Sequence, residues 1–341
     1  MSTFIEKTTF YRDVDLGDLA DTPLKFLRQL SGLCIFDLQG YDTKRTRVIT
    51  TLIHGNEPSG FIALHQWLQK KVKPAVNIRF IVGNIEAAQL SPEFSHRYLQ
   101  PGQDLNRFFS CTAGNSTIIK RAEQIKQAIK AVNPEAVIDL HNTSGLSPAF
   151  GVAIDDSEQV LDLISLFTNK VILTGLRVGA IMEQNFQAPI VTIECGGAGQ
   201  IQSHQLAYAG LSKLLSANNI FDRHASQVNI YQHPCRVELL PHFSVAFGHN
   251  HLPTADVTLR ADAEQLNNQL TPKGEFIGWY EGAGELPFTA KDEQGIEQLA
   301  TLFSLQNGCI FAKQSLQIFM ATTDPDIAIN DCLFYATVET S

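Results

Sequence analysis

The segment Ile53-His54-Gly55-Asn56-Glu57-Pro58-Ser59-Gly60 constrains this chain more than any other. It follows an apolar run at residues 48–53 that reads as a strand. It precedes Phe61, Leu64, Trp67 and Leu68, apolar at helical spacing, which predict a helix over 58–71. Pro58 falls where a first helical turn tolerates a residue without an N–H. With a further strand at 77–82, the order β-α-β requires a right-handed crossover and a largely parallel sheet. The loop also sets His54 three positions before Glu57, between rigid elements that fix where both side chains point. An imidazole nitrogen and a carboxylate oxygen suit Zn²⁺, which in a catalytic site takes a third protein ligand and keeps a fourth position for water.

The same reading extends along the chain. Residues 33–39 are expected as a strand, 117–131 as a helix, and 136–140 as a strand ending at His141. Short strands are expected at 152–154, 171–173 and 190–193, and a helix at 203–218. Residues 84–116 are rich in Ser, Pro, Gln and Arg with weak periodicity, and so long an irregular stretch inside a domain is usually functional. From about residue 224 the texture changes to short alternating runs at 228–231, 236–240, 257–259 and 276–280, separated by Pro, Gly and Asn. That pattern suits a small antiparallel β-domain. The expected fold class is α/β: a mixed, mostly parallel sheet flanked by helices over residues 1–222, then a smaller β-rich domain over 223–341.

Composition removes several function classes. A formal net charge of -9 opposes a nucleic-acid groove, which needs clustered Lys and Arg. No apolar run reaches the roughly 18–20 residues of a membrane span, so no membrane partner is expected. The amino-terminal stretch lacks a basic region followed by an apolar one, and the six scattered cysteines include no CxxC pair. A cytoplasmic protein with reduced thiols is the expectation, and a homo-oligomer is compatible with it.

His141, at the end of a strand in the same sheet, is the best candidate for a third zinc ligand. Open α/β sheets place their sites outside the carboxyl ends of the strands, where His54, Glu57 and His141 all fall. Glu194 follows the strand at 190–193 and precedes Cys195-Gly196-Gly197, a place suited to a general base. The irregular segment supplies Arg97, Asp104, Asn106 and Arg107. Its arginines suit carbonyl polarisation, oxyanion stabilisation or a carboxylate clamp, and Asp104 suits the free N–H of a ligand histidine. His249-Asn250-His251 also has ligand spacing, but its β-rich, proline-flanked context reads as a surface turn. Cys195 has no histidine motif to pair with and reads as a structural thiol.

Taken in order, His54-Gly55-Asn56-Glu57, Gly83-Asn84, Arg97-Tyr98, Asp104-Leu105-Asn106-Arg107, Asp139-Leu140-His141-Asn142-Thr143 and Glu194 resemble the aspartoacylase/succinylglutamate desuccinylase family, a branch of the zinc carboxypeptidase fold. The resemblance is close over residues 45–220. It implies one Zn²⁺ per chain on His54, Glu57 and His141, with Glu194 moving the proton. It also implies Arg97 on the scissile carbonyl, and Asn106 and Arg107 on the substrate's α-carboxylate.

The pattern is broken in two places. Members specific for acidic amino acids carry an arginine about ten residues before the general base, whereas residues 182–189 here have none and include Glu183 and Gln184. The stretch Cys309-Ile310-Phe311-Ala312 also lacks the family's substrate-binding tyrosine. The expected reaction is therefore zinc-dependent hydrolysis of an N-acyl amino acid or related small amide, with Glu183 facing the substrate. Rival readings are a carboxypeptidase or amidase acting on small peptides or N-acylated basic amines, and a zinc-binding protein without turnover.

Overall fold

The computed structural model describes residues 7–13, 19–100, 103–111, 114, 116–221, 228–282 and 284–338. The chain forms two compact units, residues 1–142, 149–171 and 177–229 in the first, and 143–148, 172–176 and 230–341 in the second. The boundary expected between 222 and 223 lies outside the described residues.

The first unit is organised by a nine-stranded sheet. Its strands are β1 (Thr8–Arg12), β2 (Leu33–Leu38), β3 (Asp42–Thr51), β4 (Val76–Val82), β5 (Ala136–Thr143), β6 (Phe150–Ala153), β7 (Lys170–Leu173), β8 (Ile190–Gly197) and β9 (Asn229–Tyr231), in the order β1-β2-β4-β3-β5-β8-β6-β7-β9. The pairs β1–β2, β3–β4 and β3–β5 are parallel, while β2–β4 and β6–β8 are antiparallel. The helices are α1 (Pro23–Gln29), α2 (Ser59–Gln69), α3 (Ile85–Ala88), α4 (Thr117–Lys130), α5 (Glu158–Ser165) and α6 (Ile201–Ser216). Every residue of β5 and β8 is buried, as expected of central strands covered on both faces. On one face Ile125 and Ile129 of α4 join Leu33, Val48, Ile81 and Val137 in a common core.

Outside the stretch read as irregular, β1, α1 and α5 of the first unit are absent from the sequence reading. α1 carries a legible start signal, Thr22 capping the Lys25 amide with Pro23 at the first helical position. It is only seven residues long, and α5 only eight, too short for a helical period to declare itself. The irregular stretch is resolved into α3 and a 3₁₀ turn, Leu105–Arg107, joined by extended and bent chain.

The second unit carries two five-stranded sheets. One runs Leu270–Thr271, Leu316–Phe319, Phe334–Val338, Cys235–Leu239, Phe288–Lys291; the other runs Val245–Gly248, Val257–Arg260, Phe276–Tyr280, Cys309–Ala312, Phe303–Gln306. The pair formed by Val245–Gly248 and Val257–Arg260 is parallel, an exception to the antiparallel expectation.

Two features hold the strand ends that matter for function. A Cβ on Gly55 would meet the Ala88 amide nitrogen at 2.5 Å and the His96 carbonyl at 2.6 Å, so the loop after β3 passes where only glycine fits. Arg47, fully buried in β3, donates to Glu135 Oε1 at 2.6 Å and to carbonyls of Leu214, Ala217 (2.8 Å) and Asn218 (3.2 Å) at the end of α6. A guanidinium supplies the donors that a helix end otherwise lacks. Replacing Arg47 by Met should remove the side-chain donor from Glu135 Oε1 and from the Leu214 and Ala217 carbonyls, while Arg45 still reaches Glu135 Oε2 and the Asn218 carbonyl. It should lower stability by about 3–5 kcal/mol, measured as a shift in denaturant midpoint at constant slope.

Candidate metal centre

β3 ends at Thr51, and Leu52 follows with φ 49°, a left-handed turn that swings the chain over the sheet edge towards α2. The Gly55 amide is held by the Arg97 carbonyl at 3.0 Å. His54 and Glu57 leave this loop with 3% and 4% of their surface exposed. β5 runs parallel to β3 with Leu140 beside Thr51, so His141 emerges beyond the same edge. Asp139 and His141 are two apart on one strand and therefore share a face.

Glu57 lies between the two histidines. His54 Nδ1 is 2.8 Å from Glu57 Oε1, and His141 Nδ1 is 2.6 Å from Glu57 Oε2. The rings meet edge to face at 5.0 Å. Each outer nitrogen faces another carboxylate: His54 Nε2 is 2.8 Å from Asp104 Oδ1, and His141 Nε2 is 2.6 Å from Asp139 Oδ2. Asp139 is fixed in turn by the Thr50 hydroxyl at 2.5 Å.

This arrangement fits a cation. A neutral imidazole that donates Nε2–H to an aspartate turns the Nδ1 lone pair towards the centre. Two such lone pairs beside the Glu57 carboxylate repel unless positive charge sits among them. Burial alone disfavours an imidazolium at His141, yet Asp139 and Glu57 raise its pKa well above the ordinary histidine range. Burial would likewise raise Glu57, but the His54 and His141 charges outweigh it and hold the carboxyl well below the usual range. One donor atom each from His54, Glu57 and His141 lies within 4.8 Å of the others, the geometry of a three-residue site for a divalent ion.

Arg97 bridges the ligand loop and its supporting aspartate. Its Nε and Nη2 donate to Asp104 Oδ2 at 3.2 and 3.1 Å, and its Nη1 to Glu57 Oε1 at 3.2 Å. Burial opposes ionisation of Asp104, but His54, Arg97 and Arg107 together pull its pKa far below the ordinary value. Glu194, inside β8 and paired there with Phe150 of β6, is 7% exposed, and its Oε2 is buried without a hydrogen-bond partner. Burial raises its pKa to about 7, against the lowering influence of His141; Glu57, His54 and Arg97 also act on it. Such a carboxyl exchanges protons near neutrality. Cys195 beside it is buried and its thiol is pushed far upward by desolvation, consistent with a structural role.

The structure thus brings His54, Glu57, His141, Asp104, Arg97 and Glu194 together. Asn106 and Arg107 lie on the adjoining 3₁₀ turn. The Asn106 amide oxygen accepts the Ile181 N–H at 3.0 Å, which ties that turn to residues 181–183. Glu183 departs from expectation. Its carboxylate turns back on its own loop, accepting the amides of Val178 and Ala180 at 2.8 and 3.0 Å through Oε1 and of Gly179 at 3.2 Å through Oε2. A carboxylate so engaged shapes the loop, because backbone donors already occupy its lone pairs. Sequence reasoning missed Asp139 as the partner of His141, although the period-2 alternation of Asp139-Leu140-His141 carried the signal. It also missed Asn142, Ser59 and His204, which no local pattern links. His249 is exposed, in keeping with a surface turn.

A model of the succinylglutamate desuccinylase/aspartoacylase catalytic domain matches residues 43–215, and the chain belongs to that family of deacylases. Among curated proteins none matches the sequence significantly. Solved structures share the fold at low identity. Succinylglutamate desuccinylase from Vibrio parahaemolyticus superposes with a TM-score of 0.61 at 15% identity, over 95% of this chain and 97% of its own. A succinylglutamate desuccinylase/aspartoacylase from Rhodobacter sphaeroides gives 0.56 at 11%, over 90% and 89%. Murine aminoacylase 3 gives 0.56 at 15%, over 88% and 97%.

Removing either supporting aspartate (Asp104→Ala or Asp139→Ala) should weaken divalent-metal affinity by about 10- to 100-fold, read by competition with a chromophoric chelator. Glu183→Gln keeps one acceptor oxygen for the Val178 and Ala180 amides and sets an amide donor against the Gly179 N–H. It should cost about 1–3 kcal/mol of stability while leaving the order of substrate preference unchanged in a panel assay.

Proposed function

We propose that this protein is a zinc-dependent deacylase that hydrolyses the amide bond of an N-acyl amino acid or a related small amide. The observation that carries the reading is the pairing of a buried His54–Glu57–His141 donor set with Glu194, whose Oε2 has no partner. A zinc ion on those three residues would supply Lewis acidity, polarising the scissile carbonyl and acidifying water beside it. Asp104 and Asp139 hold the Nε2 protons, so both Nδ1 atoms stay available to the cation.

Glu194 acts as the proton carrier. It accepts a proton from the attacking water as the C–O bond forms, then returns it to the nitrogen as the C–N bond breaks, releasing a carboxylate and a free amine. Its low exposure matches a group that must hold and pass a proton near neutral pH. Arg97, steadied by Asp104, presents positive charge next to the ligands, where an oxyanion develops. Arg107 is the residue assigned to the substrate's α-carboxylate, with Asn106 positioning the turn that bears it.

The substrate side chain is proposed to be other than acidic, since residues 182–189 offer no arginine. The carboxylate of Glu183, spent on backbone amides, gives no motive for a basic amine. A panel of N-acetyl and N-succinyl amino acids alongside dipeptides tests the reaction class. Chelator-stripped protein should be inactive and recover with added zinc. Glu194→Gln should keep one metal per chain and lose at least about 100-fold in kcat; parental turnover by that variant would sink the mechanism.

A further inference from the structure

We infer that Asn142 is a positioning residue that fixes the Glu194-bearing end of β8 to the start of α2, directly after the metal-ligand loop, through a hydrogen-bonded chain ending at His204. The inference rests on the deacylase reading and adds to it a device that sets where the proton carrier stands.

Asn142 follows the ligand His141 and is 3% exposed. Its carboxamide is engaged on both sides. Nδ2 donates to the Gly196 carbonyl and to Ser59 Oγ, each at 2.8 Å, and Oδ1 accepts the Ser59 amide at 3.0 Å. Ser59 is two residues beyond Glu57 and opens α2; Gly196 is two residues beyond Glu194. One side chain beside His141 therefore grips the start of α2 and the end of β8, each two residues beyond a residue on which the chemistry depends. Its backbone amide adds a contact to Glu57 Oε2 at 3.3 Å.

The polarity of these bonds admits few replacements. Gly196 O accepts only, so the atom facing it must donate; the Ser59 amide donates only, so the atom facing it must accept. Only a carboxamide supplies both from one planar group of this size. Aspartate has nearly the same shape but would set a carboxylate oxygen against the Gly196 carbonyl. Gly196 is the penultimate residue of β8, with φ 101°, a conformation L side chains rarely adopt, and its carbonyl is the point at which Asn142 ties that strand end. Beyond Ser59 the chain continues: with Oγ accepting from Asn142, its hydroxyl proton is directed to His204 Nδ1, 2.7 Å away on α6. His204 is the partly exposed end of a chain whose other members are buried. Asn142 is bonded to the start of α2 and the end of β8, and His204 to Ser59. Because none of these bonds reaches the reacting atoms, their loss should act on kcat and leave KM nearly untouched.

The test compares Asn142→Ala, Asn142→Asp and His204→Ala with the parent and with Glu194→Gln. Turnover is measured on the fastest member of an N-acetyl amino acid panel, metal content by elemental analysis, and backbone mobility by amide hydrogen exchange. Both Asn142 variants should retain one metal per chain, lose about 10- to 100-fold in kcat, and shift KM by less than about threefold. Their peptides covering residues 194–200 should exchange faster than the parent's. His204→Ala, on the partly exposed end, should fold normally and lose about fivefold in kcat. His204→Asn, which keeps an acceptor near the Nδ1 position, should recover most of that loss. Parental kcat and parental exchange in Asn142→Ala would overturn the inference. So would a kcat deficit fully restored by excess zinc, since Asn142 would then serve metal retention only. If Glu194→Gln turns over like the parent, the deacylase mechanism fails, while the exchange measurement still decides whether Asn142 ties the 194–200 segment.

Discussion

Three carboxylates and two imidazoles are packed into a nearly dry space at one edge of the sheet, and this concentration of negative charge governs the rest of the site. Each histidine has a carboxylate at both nitrogens, so positive charge is required between them. Low dielectric strengthens both sides of this balance: unpaired, the group would be costly to bury, and paired with a cation it is rigid. Arg97 offsets part of the excess and the remainder defines an affinity for a dication. The pKa directions of Glu57, Asp104 and His141 are three expressions of that one field.

Such a cluster tolerates little displacement, and the backbone is arranged accordingly. The ligand loop is wedged between the Ala87–Ala88 turn and His96 by a residue with no side chain, and its amide is pinned to the Arg97 carbonyl. β3 and β5, which deliver the two halves of the ligand set, are parallel neighbours in register. α6 is anchored at its far end by the buried Arg47, so the helix bearing His204 is fixed at both extremities. Metal affinity is thus built from ordinary packing and capping, distributed over much of the first unit.

The sequence exposes those parts of this design that are local. Val48 to Leu68 announces strand, loop and helix through apolar spacing alone. His54, Glu57, His141 and Glu194 declare themselves by following apolar runs, although β5 and β8 extend past His141 and Glu194 to Thr143 and Gly197. Asp139 was legible too, two positions before His141 and therefore on the same face of its strand. What stayed hidden is what folding brings from afar. Asn142 and Ser59 are 83 positions apart, and Ser59 and His204 are 145 apart. No spacing rule connects them. Glu183 misled for the converse reason: its neighbours in sequence, the amides of residues 178–180, claim it before any substrate can.

The engagement of Glu183 has a consequence for anyone who wishes to redesign this protein for acidic amino acids. Installing the missing arginine there would remove a carboxylate that holds the amides of residues 178–180, and would leave three donors without it in exchange for one charge. Gln184 is the more permissive graft point, because among the described residues its side chain makes one hydrogen bond, to the Ser110 hydroxyl at 3.2 Å, and stands partly in solvent. A loop that resembles a specificity element is, at its centre, a fastening. New selectivity is better added beside it than through it.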